Sequence, residues 1–128
     1  MTRYCFNPAD GLIIVAACIH GSTGVTRARL ALDTGATASI LSADLLEAAG
    51  CDPAGARERV RITTASGVEF AAVVTIRQLE AFGRKRTDFP VLCHTLPPTT
   101  TVDGLLGLDF FRETLLTIDF REGYVEIS

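Results

Sequence analysis

The chain has 128 residues, a formal net charge of −3 and 48% hydrophobic residues, with positive mean hydropathy. That length suits a single domain, 1–128, and leaves little room for two. A small charge without single-sign blocks argues against a nucleic-acid partner, and no apolar stretch approaches the roughly 18 residues that would cross a bilayer. The high apolar content has two readings: a well-filled core, or apolar surface buried against a second copy of the chain.

Taken in order, residues 1 to 10 read as a polar lead-in, with Asn7-Pro8 and Asp10-Gly11 as turn signals. Leu12 to His20 is apolar and β-branched, Gly21 to Gly24 is a turn, and Val25 to Asp33 alternates, so a β-hairpin delivers Asp33 at its end. Ser39-Ile40-Leu41 is a short apolar piece. Ser42 is a good N-cap for a helix over Ala43 to Ala49, and Gly50 ends it. Cys51 to Glu58 reads as loop. Val60 to Thr64 and Val68 to Leu79 flank Ala65-Ser66-Gly67 as a second hairpin, and Ala81 to Arg84 turns the chain into Arg86 to His94. Pro90 inside that return points to an edge position or a bulge. After a loop at Leu96 to Thr101, Leu105-Leu106 is a short buried strand, and Gly107 permits a sharp exit. Leu108 to Glu113 makes one or two helical turns with Phe110 and Phe111 inward. Leu115 to Phe120 and Tyr124 to Ile127 close the chain as paired strands. The chain is therefore expected to be all-β with one or two short helices; no strand–helix repeat argues for a parallel α/β sheet.

The residues with chemistry are few. Cys5, Cys18, Cys51 and Cys93 match no zinc spacing and read as reduced thiols, with two disulfides as the alternative. His20 and His94 are isolated, so no metal and no cofactor is expected. Arg84-Lys85-Arg86 reads as a solvated loop. Val15-Ala16-Ala17-Cys18 imitates a lipoprotein cleavage box, but its flanks are wrong and the apolar run is short. A cytoplasmic location is expected, with a periplasmic or Cys18-anchored protein less favoured. The one stretch that concentrates chemistry is Leu32-Asp33-Thr34-Gly35-Ala36-Thr37. A carboxylate closing an apolar strand needs a partner to offset its desolvation, and Gly35 lets another backbone come close.

That stretch resembles the active-site loop of the retropepsin-like, single-domain aspartic proteases. Gly104-Leu105-Leu106-Gly107-Leu108-Asp109-Phe110-Phe111 is similar to the segment before the C-terminal helix in the same family. The resemblance implies a closed or partly open β-barrel of the acid protease type, homodimeric. It also implies an aspartic endopeptidase acting on polypeptides. Each chain carries one Asp-Thr-Gly, so two Asp33 side chains would meet on a two-fold axis. Such carboxyls, about 3 Å apart, share one proton. Thr34 would bond across the axis and Gly35 would bring amides to the carboxylates. Ala36 replaces a hydroxyl residue of two-domain relatives, which implies an acidic to mildly acidic optimum. The Thr64 to Val68 hairpin would be the flap, so Ala36, Ala65, Ser66 and Gly67 are the expected substrate contacts. Ile40, Val68 and Leu105 would wall the pocket. Two departures stand out. Retroviral enzymes usually carry an Arg after the second-motif Gly, where this chain has Leu108; the ionic tie of that Arg is expected to be either absent or replaced, with Arg112 as the candidate replacement. Tyr124 to Ile127 is the expected strand for pairing between copies. The alternative reading is a catalytically silent dimerisation or peptide-binding module of the same fold.

Overall fold

The computed structural model of the protein describes residues 2–64, 67–97 and 100–128. The strands among them are β1 (Thr2–Cys5), β2 (Ile14–Gly21), β3 (Gly24–Leu32), β4 (Ile40–Leu41), β5 (Glu58–Thr64), β6 (Gly67–Ala81), β7 (Arg84–Cys93), β8 (Gly104–Leu106), β9 (Leu116–Asp119) and β10 (Tyr124–Ile127). A single α-helix, α1, spans Ala43–Ala48, and 3-10 turns span Pro53–Gly55 and Leu108–Phe111.

Six strands close a barrel in the order β2-β3-β8-β4-β7-β6, with β6 returning to β2 through Ala17↔Ala81 to His20↔Gln78. The first expected hairpin is β2–β3, and the second is β5–β6, whose β5 hangs on the outer side of β6. Closure requires a bend, and its place is visible in the burial pattern. Along β6, Val74 and Ile76 are buried, then the buried face switches to Leu79 and Ala81. Opposite that switch, Asp88 takes a left-handed φ of 48° and leaves the β7 ladder between Thr87 and Phe89. Pro90 fits beside it, because β4 covers β7 only at Leu92 and Cys93 and leaves that side of Pro90 uncovered.

The barrel interior is filled by Ile19, Leu30, Leu41, Ile76, Leu79, Leu106 and Phe110, all fully buried. Helix α1 buries Leu45 and Leu46, and Ser42 caps it by accepting from the Leu45 amide at 3.2 Å. The β2–β3 turn fixes its far end: Ser22 Oγ donates to the Gly50 carbonyl at 2.7 Å. Val15 to Cys18 lies inside β2 and pairs with β3, and Ala17 and Cys18 also pair with β6, so the cleavage-box look-alike is barrel wall.

Two expectations fail at the chain ends. Residues 1 to 10 are not merely a lead-in, because β1 forms there and pairs with β10 from Thr2↔Ile127 to Cys5↔Tyr124. Arg3 ties that pair to Glu126 and stacks on the Tyr124 ring at 3.8 Å. The expected role of Tyr124 to Ile127 in pairing between copies is also overturned. β10 is the middle strand of a three-stranded sheet, β1-β10-β9, and both its edges are already occupied.

Candidate active site

Asp33 is the first residue beyond β3. β3 runs parallel to β8 in the register Leu30↔Gly104, Ala31↔Leu105 and Leu32↔Leu106, and the Asp33 amide continues the ladder by donating to the Leu106 carbonyl at 2.9 Å. The two sequence motifs are thus adjacent strands. The chain then turns tightly. The Gly35 amide donates to Asp33 Oδ1 at 2.9 Å, and the Ala36 amide donates to the Asp33 carbonyl at 3.2 Å. A Cβ on Gly35 would sit 3.2 Å from Asp33 Oδ1, so a side chain there would press on the carboxylate. Asp33 is half-buried and Thr34 is exposed; the Thr34 hydroxyl has no hydrogen-bond partner among the described residues.

The second motif buttresses the first. Leu108 donates its amide to the Ala36 carbonyl at 2.8 Å. Gly107 passes so close to the loop that a Cβ there would lie 2.8 Å from Ala36 O and from Ala38 C and O. Ser39 is fully buried; its Oγ donates to Asp109 Oδ1 at 2.7 Å and accepts from the Gly107 amide at 3.0 Å. Asp109 Oδ2 accepts from the Ser39 amide at 2.9 Å, and Oδ1 also accepts from the Phe110 amide at 2.9 Å.

The expected tie through Arg112 is not found. Arg112 is exposed, and its carbonyl is an acceptor for Arg86, whose Nε also donates to the Phe110 carbonyl at 2.9 Å. Arg86 on β7 therefore holds the 3-10 turn, assisted by Asp109 from within. This also corrects the reading of Arg84-Lys85-Arg86 as a solvated loop: Arg86 is half-buried and structural. Asp109 lies within the second motif, but its link to Ser39 and the link of Arg86 to the Phe110 and Arg112 carbonyls carried no local signal, because those partners lie far apart in the chain.

Of the other expected site residues, Ala36 is half-buried in the loop, and Ile40 and Leu105 are cross-strand partners beside it. Gly67 opens β6 at φ 123°, and Val68 is 51% exposed on the same hairpin. Ala65 and Ser66 lie outside the described residues. Among the described residues, one surface cleft lies between α1 and the segment before β8 and another beneath Tyr4 and Phe82. Among the described residues, the four cysteines are free and no group of three or more His, Cys, Asp or Glu is placed to hold a metal.

A six-strand barrel with an Asp-Thr-Gly loop braced by a Leu-Leu-Gly strand is the retropepsin-like fold. The structure aligns with a retropepsin-like aspartic protease from Rickettsia conorii at a TM-score of 0.72 and 20% identity, covering 98% of this chain and 88% of that one. It aligns with EIAV protease in an inhibitor complex at a TM-score of 0.60 and 17% identity, covering 84% and 92%. At such identities the likeness is one of fold. No curated protein matches the sequence. The family model described as aspartyl protease matches residues 15–110, and the chain belongs to the aspartyl protease family.

Proposed function

We propose that two copies of this chain form an aspartic endopeptidase in which each supplies one Asp33. The observation that carries this reading is the position of Asp33: a half-buried carboxylate fixed by the β3–β8 ladder, with one amide on Oδ1 and the exposed Thr34 next to it. One chain offers a single such acid, and hydrolysis without a metal or nucleophilic side chain needs both a base and an acid. With two Asp33 carboxyls sharing one proton, the ionised one takes a proton from water as its oxygen attacks the peptide carbonyl. The protonated one gives its proton to the carbonyl oxygen. The carboxyl that took its proton from water then gives it to the leaving nitrogen as the C–N bond breaks, while the other takes a hydroxyl proton from the tetrahedral carbon, which becomes the new carboxyl group, so the pair again holds one proton. Thr34 bonds across the axis and Gly35 directs its amide to the carboxylate.

Substrate lies extended beneath the 64–68 hairpin, where Ala65, Ser66 and Gly67 cover it and Ala36 borders it. Ile40, Leu105 and Val68 favour apolar side chains next to the cut bond. Dimer formation has support in exposed apolar side chains: Phe70 is 67% exposed, and Leu115 and Phe120, which bracket the edge strand β9, are each 68% exposed.

The test is cleavage of an unfolded protein at about pH 4 to 6, the range for a shared-proton carboxylate pair, by wild type and Asp33→Asn with and without a pepstatin-type inhibitor. Wild-type activity that is lost in Asp33→Asn and blocked by the inhibitor is expected. Equal activity in both proteins removes Asp33 from the chemistry, and no activity in either favours a silent binding module.

A further inference from the structure

We propose that Ser39 and Asp109 form the clamp that positions the Asp33 loop, so that Asp109 governs turnover without touching substrate; this rests on the endopeptidase reading. Ser39 is the only fully buried polar side chain among the described residues. A buried hydroxyl is costly unless both its donor and its acceptor are used. Here both are used, on Asp109 and on Gly107. The Ser39 backbone is used as well: its amide goes to Asp109 Oδ2, and its carbonyl accepts from Leu92 of β7 at 2.9 Å. One carboxylate thus collects three donors, and together with the Ser39 hydroxyl it joins the approach to β4, the second-motif glycine and the 3-10 turn.

The route from this clamp to Asp33 is short. Ser39 fixes Gly107, Gly107 lies against Ala36 and Ala38, and Leu108 holds the Ala36 carbonyl. Ala36 in turn donates to the Asp33 carbonyl. An acid suits this place better than its isosteric amide. All three groups facing Asp109 are donors, and an amide offers one acceptor oxygen with two donor hydrogens. Asp109→Asn therefore turns an N–H toward the Ser39 amide, or gives that bond up and loosens the loop.

The experiment compares wild type, Asp109→Asn and Ser39→Ala, with Asp33→Asn as the chemical control. Turnover is expressed per site titrated with a tight-binding pepstatin-type inhibitor. Asp109→Asn is expected to lower kcat at least about tenfold with KM within about twofold, since misplacement by a fraction of an ångström is costly in the transition state. Ser39→Ala, which removes the Oγ bond to Asp109 and the acceptor of the Gly107 amide but keeps the Ser39 and Phe110 amides on Asp109, is expected to lose about three- to tenfold on the same scale. A merely structural role would reduce the number of titratable sites and leave kcat per site at the wild-type value, which would overturn the proposal.

A second readout does not depend on activity. Amide exchange at Asp33, Ala36 and Leu108 is expected to speed at least about tenfold in the variants, while Ile19 and Val91 in the barrel stay protected. Unchanged exchange at the three loop amides would refute the clamp even if the wild type cleaves nothing. Should Asp109→Asn fail to fold, Ser39→Ala alone decides: wild-type turnover or unchanged exchange in it would sink the proposal.

Discussion

Gly107→Ala isolates the contact between the two motifs. Gly107 has φ −96° and ψ −174°, a conformation open to any residue, so alanine brings no backbone strain. What it brings is a methyl 2.8 Å from three backbone atoms, Ala36 O, Ala38 C and Ala38 O. Ordinary contact between such atoms begins near 3.4 Å, so the 36–38 segment and Gly107 must part by about 0.6 Å. Neither side gives way easily, because Ser39 holds Gly107 and Leu108 holds Ala36. Overpacking of this kind costs about 1–3 kcal/mol. With a urea slope of about 1–3 kcal/mol/M for a small protein, the midpoint should fall by about 1 M at unchanged slope. The displaced segment begins three residues after Asp33, so activity should fall further than stability, by about tenfold or more. Urea unfolding followed by circular dichroism, with cleavage measured on the folded fraction, reads both effects. Gly11→Ala is the control, since nothing lies within 4 Å of a Cβ there and no change is expected. A Gly107→Ala midpoint equal to that of Gly11→Ala would refute the close approach of the motifs.

Arg86→Met keeps the aliphatic stem and removes the guanidinium from the Phe110 and Arg112 carbonyls. A loss of about 1–3 kcal/mol in denaturant unfolding is expected, with Arg86→Lys recovering only part of it. Burial pushes the Cys93 thiol above its usual range, Glu47 adds to this and Arg59 opposes it. Iodoacetamide near neutral pH should therefore modify exposed Cys5 well before Cys93, as peptide mass spectrometry would register. The amides of Glu122 and then Arg121 hold the Asp119 carboxyl below the usual carboxylate range. A depressed carboxylate stabilises the fold above its unfolded pKa, and that contribution disappears as pH falls through the folded value. Stability measured from neutral pH down into the carboxylate range should thus decline less steeply in Asp119→Asn, and an identical slope would remove this turn from acid unfolding.

Much of this protein was legible locally. Asp33 at the end of an alternating strand, Ser42 as a cap followed by α1, and Phe110 and Phe111 turned inward all depend on neighbours within a few residues. The helical turns expected over Leu108 to Glu113 are a 3-10 turn confined to Leu108–Phe111. Pattern can locate a strand and its buried face, but it does not name the strand beside it. The parallel pairing of Leu30 with Gly104, the β1–β10 pair that occupies the C-terminal strand, and Asp109 reaching Ser39 were settled only when the barrel closed. Those contacts join segments dozens of residues apart, where the deciding quantities are shape, burial and unpaired donors. The acid proposed for the site therefore belongs to the sequence, while what holds it in position belongs to the fold.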